Sequence, residues 1–458
     1  MQRRLLAILP IMLAFLAAGL WTQLMAIAEE APALRPAVLE PVTLPQAVQS
    51  SLDNNVQIKN SRLDVEINDA KISSARTRIF PEFHMNAVGL QLLAPLEFDF
   101  NKGVFGNFKA TGPIPAEKIN VTTDQRPVLF LNTSLVQPIT QISRIRLAIR
   151  QAELSKSIAQ QKYRLQKQQV SNQVRRAYYR ILESEDNLKV LDSTRQMFRE
   201  IERVSTNYLA NKMVLPAELL EVKQQLANVE YETLKLSNAI ANQKEELSRL
   251  LGRDIKNDFQ LAHTPDTKLT EMDLRDAQGR ALTQRAELLQ TSFQTQQLDL
   301  ERRIRKQQQL PQMSLVMNYF SIFGAQILPK NVIFAGLLVH WEPMETLRKS
   351  YEISEQKKLI QQSSNSLKDL QTQILIEVNT THRTLQECKQ FVQVAALGRE
   401  LAAEKLRVVS NKYKEKAALL KDVLQAQKDL TQADNRATQA TLALWTARAD
   451  FEKAIGED

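Results

Sequence analysis

From Pro311 onward, apolar residues occupy every second position. Met313, Leu315, Met317, Tyr319 and Phe323 share one face, and Gln312, Ser314 and Asn318 share the other. A period of two with one apolar and one polar side predicts a strand over about 312–323. The same alternation occurs 230 residues earlier, with Phe83, Met85 and Ala87 against Glu82, His84 and Asn86, and predicts a strand over about 82–93. A second strand is expected after each, over about 126–137 and about 330–341, with poorer alternation.

The remaining long segments carry helical spacing. Thr43-Leu44-Pro45-Gln46 is a capping box with proline near the helix start, and it opens a helix expected to run to about Arg78. Asp273-Leu274-Arg275-Asp276 opens its counterpart, expected to run to about Gln308. Both stop shortly before a proline, Pro81 or Pro311, as the restriction on the residue before proline favours. After each strand pair a far longer helix is expected, from Ile139 to about Ala210 and from Met344 to about Lys414. Val170, Val174, Ala177, Ile181, Leu188, Leu191 and Phe198 recur on three-and-four spacing. Seventy residues at about 1.5 Å each make a rod on the order of 100 Å, which implies a coiled coil or a helical array. Breaks at about 211–214 and about 414–417 predict hairpin tips, followed by return helices over about Leu215–Leu251 and Ala418–Ile455.

Each half thus reads helix, strand, strand, long helix, turn, helix. The register between the halves is 230 at Pro81 and Pro311, and 205 at Gln137-Pro138 with Glu342-Pro343 and at Tyr208 with Tyr413. It is 204 at Gly252-Arg253-Asp254 with Gly456-Glu457-Asp458. The first half therefore carries 25 extra residues between Pro81 and Pro138. The segment Pro95–Gln125, with Gly103, Gly106, Gly112, Pro113 and Pro115, contains most of them and is expected to be an exposed loop. Fixed register over this length means one structural unit used twice, 29–252 and then 253–458.

Composition narrows the class. Arg3-Arg4, the apolar run Leu5–Trp21 and Ala26-Ile27-Ala28 predict a cleaved export signal over 1–28. The alternative is an uncleaved anchor, because about 17 apolar residues is the short edge of a membrane span. The formal charge is +9, yet Lys and Arg are spread along the helices, which reads as solvated surface and argues against nucleic-acid binding. One cysteine, Cys388, excludes an intrachain disulfide. His84, His263, His340 and His382 share no metal-ligand spacing, and no phosphate loop or nucleophile elbow is present, so neither an enzyme nor a cofactor is expected.

Four strands of about ten residues suit the wall of an outer-membrane barrel but cannot close one, so the sheet edges need other chains. A dimer would give eight strands with a filled interior, and a trimer twelve with a passage. A soluble β-domain above a coiled coil, with the Met/Leu/Tyr face turned inward, is the competing architecture. Trp341 stands at a strand end, where a membrane-interface aromatic would sit.

Several segments resemble the TolC-type outer-membrane efflux proteins. They are Val42-Thr43-Leu44-Pro45-Gln46-Ala47 with Leu52-Asp53-Asn54-Asn55, Phe80-Pro81, Leu250-Leu251-Gly252, and Tyr413 through Asp422-Val423-Leu424-Gln425-Ala426-Gln427. Each is weak alone; their order along both halves is specific. The resemblance implies a mainly helical homotrimer with a composite 12-stranded β-barrel continued by a long α-helical tunnel. It implies a passive, gated exit duct in the outer membrane for a tripartite efflux or type I secretion system. The partners so implied are a periplasmic adaptor, an inner-membrane pump or ABC exporter, and outer-membrane lipid. The residues matching the family's aperture are Glu218, Asp422 and Tyr413, with Ala418 where the family has arginine. Glu218 and Asp422 are equally explained as first-turn acids favoured by the helix dipole. The matching adaptor-docking tips are Asn211, Lys212 and Met213, and Glu415, Lys416 and Ala417. The family usually places glycine where Asn211 and Lys416 stand, and asparagine tolerates a left-handed turn better than lysine. The rival from another class is a non-conducting periplasmic coiled-coil adaptor or envelope spacer.

Overall fold

The computed structural model describes residues 41–91, 93–122, 127–211, 215–256, 258–262, 272–324, 331–415 and 417–457. The export-signal segment, Lys212, Met213, His263 and Lys416 lie outside the described residues. The chain divides into two compact units. In the small one, Val42 pairs in parallel with Leu261: its N–H donates to Gln260 O at 2.8 Å, and Ala262 N–H donates to Val42 O at 3.0 Å. All elements below belong to the large unit.

The first copy opens with α1 (Leu44–Asn54) and α2 (Val56–Thr77), followed by β1 (Glu82–Gln91). An excursion follows with β2 (Glu97–Phe100), β3 (Asn107–Phe108), β4 (Gly112–Pro113) and β5 (Ile119–Thr122). Then come β6 (Pro127–Pro138), α3 (Ile142–Ala210) and α4 (Pro216–Leu251). The second copy has α5 (Leu274–Gln284), α6 (Ala286–Gln307), β7 (Gln312–Phe323), β8 (Asn331–His340), α7 (Thr346–Lys414) and α8 (Leu420–Ala454).

Two sequence expectations are corrected. The single helices expected from Thr43 and Asp273 are each broken in two, at Asn55 (φ −61°, ψ 129°) and at Arg285 (φ −62°, ψ 122°). These residues occupy matched positions, 230 apart. Asn55 Oδ1 accepts from Gln57 N at 2.9 Å and so caps the helix that follows, a normal role for asparagine. Arg285 reaches its partners over distance: its guanidinium is paired with Glu287 at 3.0 Å and Glu377 at 2.9 Å, and it donates to Ala454 O at 3.1 Å. The second correction concerns the expected loop at 95–125. There β2 pairs with β5 and β3 with β4, both antiparallel, so the described part of the excursion carries two short ladders.

The two breaks organise the packing. The C-terminal end of α4 abuts the first break: Asn55 Nδ2 donates to Leu250 O at 2.9 Å, and Gly252 lies against the Asn54 backbone with φ +66°. The end of α8 abuts the second in the same way, with Gly456 beside Gln284. Carbonyls left open at these helix ends are met by side chains. Arg164 donates to Gln284 O at 3.1 Å, and Gln168 donates to Gly456 O at 3.1 Å. Toward the sheet the packing order is α2, α3, α6, α7; toward the tips it is α4, α3, α8, α7. The unit is therefore four rods, two continuous (α3, α7) and two made of stacked segments (α2 with α4, α6 with α8). Its buried side chains recur on the same spacing in both continuous rods, as Val170, Val174 and Ile181 in α3 and as Ile374, Val378 and Leu385 in α7.

The four long strands form one antiparallel sheet in the order β1-β6-β7-β8. Each strand is joined in sequence to one rod: α2 leads into β1, β6 into α3, α6 into β7 and β8 into α7. Strand order and rod order are the same.

Candidate channel wall and aperture

Register assigns the two faces of the sheet. Phe83 faces Leu135, which faces Met317; Leu315 faces Leu337, and Met313 faces Val339. Odd-numbered residues thus make one nearly continuous apolar face. Two of its hydroxyls share one acceptor, since Tyr319 Oη and Ser321 Oγ lie 3.0 and 2.9 Å from Asn331 Oδ1. On β7 the odd residues Leu315, Met317, Tyr319 and Phe323 are exposed and Ser321 is buried, while Ser314 and Ile322 on the even face are buried.

The even face changes along its length. Near the helices it is mixed, with Glu82, His84, Ser134, Gln312 and Ser314 beside Val136, Val316 and Leu338. Toward the strand tips it turns apolar, with Val88, Phe130, Phe320 and Ile322, and the rings of Phe130 and Phe320 meet edge-on at 6.4 Å. All ten residues of β1 and all ten of β8 are exposed, so the sheet presents two open edges. Trp341 follows β8 and is 57% exposed. Phe80, Leu310, Met344, Leu347 and Tyr351, near the same helix–strand joints, are also exposed.

At the joint, Thr140 Oγ1 accepts from Met313 N at 2.9 Å, and Gln137 Nε2 donates to Ile79 O at 3.0 Å. A cavity of about 470 Å³ opens here between the ends of α2, β1, β6 and α3, lined by Arg78, Glu82, Val136, Gln141 and Arg144.

The other end of the unit holds the residues matched to the family aperture. Asn211 ends α3 at φ −90°, ψ 10°, so it takes no left-handed conformation, and its Nδ2 donates to Asn207 O at 2.9 Å. Glu218 and Asp422 both lie exposed in the first turns of α4 and α8. Asp422 accepts from Leu419 N at 3.1 Å, which is the behaviour of a capping acid. Among the described residues no hydrogen bond or ion pair joins Glu218 to Asp422. Tyr413 lies in the last turn of α7, Glu415 follows exposed, and Ala417 is exposed in the turn. Sequence reading passed over two matched leucines that N-cap the return helices: Leu215 is 66% exposed and Leu419 59%. Their signal was an apolar residue at the same position of both tips.

The two helical hairpins meet along α3 and α8. The seam is held by Arg175 with Glu452 at 2.6 Å, Asn172 Nδ2 to Ala449 O at 3.1 Å, Tyr179 stacked on Trp445 at 6.0 Å, and Thr194 with Thr431 at 3.3 Å. From Thr194 to the tip, no hydrogen bond or ion pair crosses the seam among the described residues. Glu183 beside it is half-buried, and burial pushes its carboxyl up, offset in part by Arg180.

His84 lies 3.5 Å from Glu82, His340 lies 3.3 Å from Glu342, and His382 packs on Phe451. No cluster of metal-ligating side chains occurs among the described residues. No helix of the described residues is long and apolar enough to cross a membrane.

An apolar-faced sheet with open edges, continued strand for rod by long helices, is the fold of the TolC-like outer-membrane channels. Residues 117–253 match the family described as outer membrane efflux protein, so the resemblance drawn from the sequence motifs holds. The Campylobacter jejuni CmeC outer membrane channel is 14% identical with a TM-score of 0.76, over 90% of this chain and 85% of that one. The Vibrio cholerae outer membrane protein VceC is 14% identical with a TM-score of 0.72, over 90% and 96% of the two chains. The Neisseria gonorrhoeae MtrE outer membrane channel, solved in its open state, is 14% identical with a TM-score of 0.71, over 92% and 90%. No curated protein matches the sequence.

Proposed function

We propose that three copies of this chain form an outer-membrane exit duct that conducts substrates passively from an inner-membrane pump to the exterior. The observation that carries this reading is the coincidence of strand order and rod order, combined with two open sheet edges. Edge-to-edge joining of β1 to β8 between copies closes a barrel of twelve strands, and the same operation brings twelve rods into a tube below it. The odd face then meets lipid, with Trp341 at its periplasmic rim, and the even face lines the passage.

The duct needs a gate and a partner. The seam between α3 and α8 is tied from Gln168 to Thr194 and carries no polar tie beyond among the described residues, so the tips are the part free to part from one another. Threefold symmetry gathers Glu218, Asp422 and Tyr413 around the axis as the aperture. The tips Asn211–Met213 and Glu415–Ala417, with Leu215 and Leu419 beside them, are the docking surface for a periplasmic adaptor. Energy comes from the pump, in an efflux or type I secretion assembly.

Extraction in mild detergent followed by negative-stain electron microscopy tests the reading. Expected are threefold particles with a detergent-coated cap and a tube on the order of 100 Å, set by helix length. Monomeric or dimeric rods without a detergent belt would leave a soluble coiled-coil spacer as the better account.

A further inference from the structure

The cavity at the barrel–tunnel joint holds two arginines with no partner. Among the described residues, neither the Arg78 nor the Arg144 guanidinium makes a hydrogen bond or ion pair, and both line the cavity with Glu82. Glu82 is itself engaged, 3.5 Å from His84. The cavity lies on the even side of the sheet, because Glu82 and Val136 are an even-face pair.

Arg144 is badly placed for stability alone. It sits in the first turn of α3, which has no acidic residue there, so its charge adds to the positive end of the helix dipole. The second copy treats the matched position differently. Arg348 is paired with Glu345 at 2.5 Å, and Lys349 lies 3.4 Å from Glu342. At the register of 205, Gln137 and Thr140 stand in the first copy where Glu342 and Glu345 stand in the second, and Arg144 stands where Lys349 does. Copy two is neutralised; copy one is left positive. Arg146 and Arg150 do not share this cavity, being about 200° and about 240° around the helix from Arg144.

We propose that Arg78 and Arg144 form an anion-attracting collar at the joint, so that the passage favours cargo bearing carboxylate or phosphate groups. This rests on the duct reading, which places three copies of each arginine around one axis. A ring of fixed charge at a pore raises the local concentration of counter-ions and sets charge preference. The tip carboxylates act at the opposite end of the tube, so the collar is read from the change when its charge is removed.

The test is the reversal potential of purified trimers in phosphatidylcholine bilayers under a gradient from about 0.1 M to about 0.01 M KCl, where screening lengths are about 10 to 30 Å. Replacing both residues, Arg78→Gln with Arg144→Gln, is expected to lower the chloride-over-potassium permeability ratio about threefold. The charge-keeping pair Arg78→Lys with Arg144→Lys keeps the wild-type ratio. So does the pair Arg146→Gln with Arg150→Gln on the opposite face. An unchanged ratio in the first pair, or an equal fall in the Arg146/Arg150 pair, overturns the collar while leaving the duct standing. Absence of any conductance from reconstituted wild-type trimers removes the duct reading, and the collar with it.

Discussion

At the scale of single residues, two groups stand out because their surroundings set their energetics. Arg285 is buried and holds its matched break through Glu287, Glu377 and the Ala454 carbonyl. Truncation leaves carboxylates and a helix-end carbonyl without their donor, so Arg285→Ala should cost about 3–5 kcal/mol, measurable as earlier thermal loss of helical circular dichroism. Arg203, exposed and paired only with Glu200 on its own helix, serves as the contrast: its replacement by alanine should leave the melting curve in place. Glu183 behaves in the opposite sense. Its folded-state pKa is raised, chiefly by burial, so the protein carries a charging penalty above that pKa and none below the ordinary carboxylate range. Glu183→Gln should therefore raise the melting temperature at neutral pH. The gain should vanish in acid, where the carboxyl is protonated both folded and unfolded; a gain that persists there would assign the effect to packing.

At the scale of elements, the stacked rods depend on two glycines of unequal tightness. A Cβ on Gly252 would lie 2.5 Å from Asn54 O, whereas one on Gly456 would lie 3.3 Å from the nearest atom, Gln284 C. Both have positive φ, so alanine at either should cost about 1–2 kcal/mol from conformation alone. Gly252→Ala should cost clearly more, because backbone must also move; equal melting shifts would contradict the close approach. How legible these elements were follows from where their information resides. The strands of β1 and β7 and the rods α3 and α7 were legible because their periodicity is local and long. The break at Asn55 left a faint signal, an asparagine pair before an apolar residue. The break at Arg285 left none, because its partners Glu377 and Ala454 are remote in sequence. The short ladders in the excursion could have been found. Phe98 and Phe100 alternate with acids, and Ile119 and Val121 alternate with polar residues, but the glycines and prolines around them drew the reading toward a loop. The hairpin tips were legible as breaks in the helical spacing, whereas their candidate role as aperture and docking surface came only through resemblance. The arginine pair at the joint was hidden among scattered basic residues, and only comparison of the two copies reveals the missing acids.

At the scale of the whole molecule, duplication explains why one chain supplies four strands in one sheet and closes nothing among the described residues. The rods bury their sides against one another through small and β-branched residues, yet each unit ends in a rod and a strand with a free flank. Electron microscopy of extracted particles tests whether those flanks are joined threefold. The two open strand edges also bear on how such a molecule could be made. A lone sheet with unpaired backbone groups along both sides has no stable form inside hydrocarbon, and in water it is a template for indiscriminate pairing. Subunits cannot then enter the bilayer one at a time and meet there. For the proposed trimer, assembly would be third order in the single chain and steeply dependent on expression level, so escort of that chain would matter as much as its sequence.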